Sequence, residues 1–119
     1  MNMDMKEIMQ QRSFAVFGDT LNPEKYAYKI KNSMLEAGYR VYPVGKELQS
    51  VNDIEDEIDV IDLCMNPARS LELLKENRKS FKCIVIQPGA DSPELIKWLD
   101  ENSIPRINGC LLAGLSSYR

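Results

Sequence analysis

Short apolar stretches alternate with segments of helical periodicity along almost the whole chain, and that alternation leaves few folds open. Phe14 to Gly18, Tyr39 to Val44, Val60 to Leu63, Lys82 to Gln87 and Ile104 to Asn108 read as five strands. Strand and helix in turn predict a parallel α/β sheet, because parallel neighbours need a crossover and a helix is the usual one. The fourth run is almost wholly apolar, as a central strand covered on both faces should be.

The connecting segments carry their own punctuation. Pro23 predicts the start of the first helix, since a missing N–H costs nothing there. Tyr26, Ala27, Ile30, Met34 and Ala37 recur at helical spacing and predict one buried stripe, and Gly38 stops the helix. Pro43 and Gly45 close the second strand, and Asp53 to Glu57 read as a short acidic connection rather than a full helix. Pro67 opens a helix with Ala68, Leu71 and Leu74 on one face. Pro88-Gly89 turns the chain, and Ser92 then caps a helix with Pro93 at its first position and Leu95, Ile96 and Leu99 inward. Cys110 to Leu115 is apolar enough to pack as a last turn or helix. Residues 1–12 form an N-terminal extension, expected to lay a short helix over the sheet with Met5, Ile8 and Met9 inward. With no repeat, linker or low-complexity stretch, residues 1–119 read as one domain.

Composition excludes several functions. A net charge of −3 argues against non-specific binding to nucleic acid, which needs a basic face. No run approaches the ~18 apolar residues of a spanning helix. Met1 to Ile8 lacks the basic start and apolar stretch of a secretory signal, so the expected compartment is the cytoplasm, away from any membrane. Cys64, Cys83 and Cys110 are widely spaced, form no C-x-x-C pair, and are expected as free, mostly buried thiols. The chain has no histidine, which removes the commonest general base and metal ligand. No metal site and no catalytic residue is assigned; Asp59 and Asp62 read as solvated strand ends.

Ligands of such sheets bind at the carboxyl ends of the strands, which directs attention to Gly18 to Lys25, Pro43 to Lys46, Cys64 to Pro67, Gln87 to Ala90 and Asn108 to Cys110. The first strand runs into Gly18 and then a helix, an entrance suited to phosphate, yet the two further glycines of the dinucleotide fingerprint are missing. Gly18 lets backbone approach a ligand, Thr20 and Asn22 offer polar side chains, and N–H groups at the helix start favour pyrophosphate. Such a junction is also a common tight turn. An NAD site wants an acid at the end of the second strand, but Pro43-Val44-Gly45-Lys46 puts a cation there. A lysine suits a phosphorylated ribose, as in NADP or coenzyme A, although a solvated turn lysine is the plain alternative. Lys25 and Tyr28 can reach phosphate or ribose, whereas Lys29 and Lys31 belong in part to the wet helix face. Cys64, Met65, Gln87 and Gly89 could line a slot for an adenine ring or a pantetheine arm, and packing explains Cys64 and Met65 equally well.

Four segments taken together resemble a known family. They are Ala15-Val16-Phe17-Gly18-Asp19-Thr20 with Asn22-Pro23, Ala37-Gly38-Tyr39-Arg40-Val41-Tyr42-Pro43-Val44, Ile58-Asp59-Val60-Ile61-Asp62-Leu63, and Val85-Ile86-Gln87-Pro88-Gly89-Ala90. In order and spacing they resemble the small CoA-binding domain proteins of bacteria and archaea, which share a Rossmann-like fold with the CoA-binding domain of succinyl-CoA synthetase. The resemblance runs from about Phe14 to Leu115. It implies a three-layer, Rossmann-like α/β fold with a mostly parallel five-stranded sheet, and coenzyme A in an extended groove across the strand ends. Gly18 to Thr20 would then form the phosphate loop, Pro43 and Val44 the Pro-Val turn, and Gln87 and Gly89 the fourth-strand contribution. Three positions depart from the family. Asp19 stands where a serine is usual, and is expected to point away from a polyphosphate or to cap the next helix. Gly45-Lys46 replaces the usual Asn-Pro, and Asn108-Gly109-Cys110-Leu111 is less polar than its counterpart.

The implied function is non-catalytic binding of coenzyme A or an acyl-CoA. The expected binding residues are Gly18, Asp19, Thr20, Asn22, Lys25, Tyr28, Pro43, Val44, Lys46, Cys64, Met65, Gln87 and Gly89. The alternative is an NAD(P)-binding redox-sensing or regulatory domain with Lys46 reading a 2′-phosphate. An enzyme such as an acyl-CoA ligase fragment would lack the phosphohistidine of the synthetase reaction, and Cys64 has only Arg69 near it in sequence to activate its thiol. The expected partner is a small nucleotide ligand; Leu112 and Leu115 in the apolar tail would suit a protein partner or a homodimer if exposed.

Overall fold

The computed structural model describes residues 3–118. Strands β1 (Ser13–Gly18), β2 (Arg40–Gly45), β3 (Val60–Cys64), β4 (Cys83–Ile86) and β5 (Arg106–Asn108) form one sheet in the order β2-β1-β3-β4-β5. Every pairing is parallel. The helices are α1 (Met5–Ile8), α2 (Tyr26–Glu36), α3 (Pro67–Glu76), α4 (Pro93–Glu101) and α5 (Leu111–Tyr118), with a short 3₁₀ turn at Val51–Asp53. The architecture is the expected Rossmann-like α/β one, and the sheet is parallel throughout.

Side chains alternate across the strands and divide the core into two layers. Ala15, Phe17, Ile61, Leu63, Ile84 and Ile86 face Leu73 and Leu74 of α3 and Leu95 and Leu99 of α4. On the other face Phe14, Val16, Val60 and Val85 meet Ala27, Ile30 and Met34 of α2, Leu111 of α5, and Ile8 and Met9 at the N-terminus. Because β1 leads to β2 on one side while β3 pairs on the other, the loops after β1 and β3 diverge and open a crevice between them.

Local chemistry sets the helix boundaries. Asn66 and Ser92 cap α3 and α4, accepting from Ala68 N–H at 2.8 Å and Leu95 N–H at 3.2 Å, with proline at the head of each helix. Gly38 ends α2 with φ of +94°, a conformation that costs other residues more. Pro23 does not open α2. Asn22 Oδ1 accepts from Glu24 N–H and its carbonyl accepts from Lys25 N–H, making a turn that delays the helix to Tyr26. The buried stripe is therefore Ala27, Ile30 and Met34, and Tyr26 is 63% exposed. In α3 the buried residues are Ser70, Leu73 and Leu74; Ala68 is exposed and Leu71 only partly covered, a displacement from the expected face.

Neither strand aspartate is a solvated end. Asp59 Oδ2 accepts from the N–H groups of Arg12 at 3.0 Å and Ser13 at 3.1 Å, with Lys82 Nζ 3.5 Å from Oδ1. Burial pushes this carboxyl up, but those donors and the Lys82 charge outweigh it and hold the group below its ordinary range. Asp62 is fully buried in β3 between Val16 and Val85, and neither carboxylate oxygen has a hydrogen-bond partner. Of the free thiols, Cys83 is buried while Cys64 and Cys110 are partly exposed.

Candidate functional site

A cleft of about 370 Å³ lies at the carboxyl ends of β1, β3 and β4, in the crevice that the strand order creates. Asp19, Lys25 and Tyr26 contribute one wall from the β1–α2 connection. Cys64, Met65 and Asn66 contribute the second from the end of β3, and Gln87 to Ala90 the third from the end of β4. A smaller cleft of about 290 Å³ continues over β4 and β5, sharing Gln87, Pro88 and Gly89 and adding Asp91, Asn108 and Gly109.

Two of the walls are positioned by identifiable contacts. Gln87 is 5% exposed, and its Oε1 accepts from the first N–H of α5, Leu111, at 2.9 Å. An N–H requires an acceptor, so the amide NH₂ of Gln87 is left as a donor on the cleft side. Gly89 has φ of +85°, which carries the Pro88-Gly89 turn around the cleft without a side chain. On the opposite wall α2 begins with Lys25 as its N-cap and no side chain bonding its first-turn N–H groups. Those unpaired donors and the helix dipole favour an anion at this wall.

Asp19 turns back on its own loop, where Oδ1 accepts from Leu21 N–H at 3.2 Å, and it lines the cleft rather than capping α2 or pointing away. Gly18 has no room for a side chain: a Cβ would lie 2.6 Å from both Ala27 Cβ and the Cys64 carbonyl oxygen. Its bareness thus lets α2 and β3 close on β1. Burial, with Asp62 and Cys110 beside it, pushes the Cys64 thiol up to about 12.

Of the residues singled out from sequence, Asp19, Lys25, Cys64, Met65, Gln87 and Gly89 line the cleft. Gly18, Thr20, Asn22, Tyr28, Pro43, Val44 and Lys46 do not. Asn22 forms the pre-helical turn, and Tyr28 lies within α2. Val44 is core, and Pro43 sits in β2 beside Val16. Thr20 is 1% exposed and donates to Glu47 Oε2 at 2.6 Å, the same oxygen that Lys31 Nζ meets at 2.6 Å. Burial raises the Glu47 carboxyl, but the bonds from Lys31 and Thr20 outweigh it and hold the group below its ordinary value. Lys46 is exposed on the turn, and among the described residues it joins no salt bridge. Sequence reasoning missed Tyr26, assigned to the buried stripe; the contact of Glu47 with Thr20 and Lys31 lies outside the cleft lining.

A parallel sheet of this order with a cleft at the switch point defines a doubly wound α/β ligand-binding fold. The chain matches the family model for a CoA binding domain over residues 12–116, and it belongs to that family. It is similar to a conserved hypothetical protein from Pyrococcus furiosus, at 30% identity and TM-score 0.77, covering 87% of this chain and 98% of that one. It is also similar to Prb, a PH1109 protein redesigned for binding, at 25% identity and TM-score 0.84, with 96% and 89% covered. A Thermus thermophilus protein, cell-free ID.343, matches at 25% identity and TM-score 0.82 over 98% of this chain and 100% of its own. No curated protein matches the chain. Among the described residues no helix is long and apolar enough to cross a membrane.

Proposed function

We propose that the cleft binds coenzyme A or an acyl-CoA without transforming it. Membership of the CoA-binding domain family supports the ligand. The observation that carries the reading is the uncapped start of α2 at the cleft wall, with Lys25 beside it, facing the small and apolar residues that follow β3 and β4. The diphosphate would meet the α2 N–H groups, and the pantetheine arm would run past Met65, Pro88 and Ala90. The Gln87 NH₂ is a donor for an arm carbonyl. Absence of turnover is supported by the chain's lack of histidine and by the high-lying Cys64 thiol, a poor nucleophile at neutral pH.

Titration calorimetry with coenzyme A, acetyl-CoA, NAD⁺ and NADPH tests the assignment. The expected result is saturable binding of a pantetheine-bearing ligand. Tight NADPH binding with none for any pantetheine nucleotide would overturn it in favour of a dinucleotide sensor.

A further inference from the structure

We propose that the adjoining cleft over β4 and β5 holds the acyl group of the ligand, and that it takes a short, uncharged acyl group in preference to one ending in a carboxylate. The proposal rests on the reading of the main cleft as a CoA-type site and names which thioester that site carries.

Reach decides which end of the ligand arrives there. In the sheet order β1 and β5 stand three strand spacings apart, about 14 Å at the ~4.8 Å between neighbouring strands. Their carboxyl ends form a continuous row, since Leu63 of β3 pairs with Ile86 of β4 and Ile86 pairs with Asn108 of β5. A pantetheine arm has about thirteen bonds from phosphorus to sulfur, or about 15 Å extended at roughly 3.3–3.6 Å per three backbone bonds. Doubly wound proteins hold the ribose toward the end of β2. With the diphosphate at the start of α2, the arm therefore runs the other way, past β3 and β4, and its sulfur ends over β5.

Gln87, Pro88 and Gly89 line both clefts, so the groove bends at these residues. Gln87 is 5% exposed with its Oε1 on the Leu111 N–H, which leaves its NH₂ as the donor at the bend. Beyond it the space is about 290 Å³, room for on the order of ten non-hydrogen atoms at ~30 Å³ each. The end of the arm fills part of that and leaves space for an acyl group of a few carbons. Ile86 and Pro88 give the space an apolar side. Asp91 is the one charged residue in its lining and joins no salt bridge among the described residues. The helix starts next to it in the chain are already engaged. Ser92 accepts from Leu95 N–H at the head of α4, Glu94 adds a negative charge to that first turn, and Gln87 takes the first N–H of α5. A terminal carboxylate would meet a like charge with no cation to answer it.

Calorimetry on the whole chain with coenzyme A, butyryl-CoA, octanoyl-CoA and succinyl-CoA, at low and at moderate salt, reads the preference directly. Butyryl-CoA should bind about fivefold more tightly than coenzyme A as its methylenes leave water, and octanoyl-CoA should bind no more tightly than that. Succinyl-CoA should bind about fivefold or more weakly than butyryl-CoA at low salt, and the gap should narrow as salt screens the charges. In Asp91→Asn, succinyl-CoA should gain on butyryl-CoA while coenzyme A binds as before. Succinyl-CoA binding the native chain as tightly as butyryl-CoA, or a gap untouched by Asp91→Asn, overturns the inference and leaves the CoA-type reading standing. Equal binding of coenzyme A and butyryl-CoA, or affinity that keeps rising to octanoyl-CoA, overturns it in the same way. Binding of none of the four defeats that reading, and the inference with it.

Discussion

A carboxyl group that cannot reach water or a donor holds on to its proton, because the charged form loses far more hydration than the neutral one. Asp62 is in that position, fully buried at the middle of β3 with both oxygens unpartnered, and burial raises its pKa well above the ordinary aspartate value of 3.8. The consequence for stability follows from linkage. Below about pH 3.8 both folded and unfolded chains hold the proton, and the contribution is fully present. Above it the unfolded chain gives up the proton while the folded one does not, so stability falls by up to about 1.4 kcal/mol per pH unit until the raised folded value is passed. In Asp62→Asn this loss disappears. Urea unfolding at pH 4, 5.5 and 7 should show the variant gaining on the native chain as pH rises. Two curves that stay parallel across that range would mean that Asp62 is ionised in the fold or finds a partner.

At the scale of elements, the clasp of Glu47, Lys31 and Thr20 joins the turn after β2 to the middle of α2 and to the loop after β1. Its ion pair is partly exposed, at 20% and 27% for the two side chains, so it contributes no more than about 1 kcal/mol. Because Glu47 is held below its ordinary 4.5, that contribution is intact above this value and is lost as pH falls through the lowered folded one. Lys31→Met should therefore cost about 0.5–1 kcal/mol at neutral pH and little in acid, and should speed amide exchange in the Thr20–Leu21 stretch. Unchanged exchange there would show that the clasp does not hold the loop.

The elements themselves were legible in the sequence: strand apolarity, the helix starts at Pro67 and Pro93, the cap at Ser92 and the stop at Gly38 depend on neighbouring residues alone. What escaped depended on backbone turns. A three-residue delay after Asn22 moved Tyr26 from the core to the cleft, and the tie from Glu47 across to Thr20 and Lys31 spans residues distant in sequence. The cleft lining was accordingly visible in part as strand ends, at Cys64, Met65, Gln87 and Gly89, while the β2 turn lies outside it.

On the scale of the whole molecule, the two core layers leave the cleft rim as the place where binding and folding can be separated. A ligand that binds only the folded chain stabilises it by about 2.7 kcal/mol at a concentration 100 times its Kd. For a chain of this size that is a rise in Tm on the order of 10 °C. Tyr26 is 63% exposed at the head of α2 and lines the cleft, so truncating it removes ligand contact and little of the core. Tyr26→Ala should keep the ligand-free unfolding free energy within about 0.5 kcal/mol of the native chain. Differential scanning calorimetry with coenzyme A should then show a smaller rise in Tm for the variant than for the native chain at the same ligand concentration. Ile8→Ala is the contrasting case, since Ile8 is fully buried in the core layer on the other face and is not among the cleft's lining residues. It should lower Tm through a loss of about 2–5 kcal/mol yet preserve the ligand-induced rise. If the rise survives Tyr26→Ala undiminished, the ligand sits elsewhere on the molecule and the switch-point cleft is not its site.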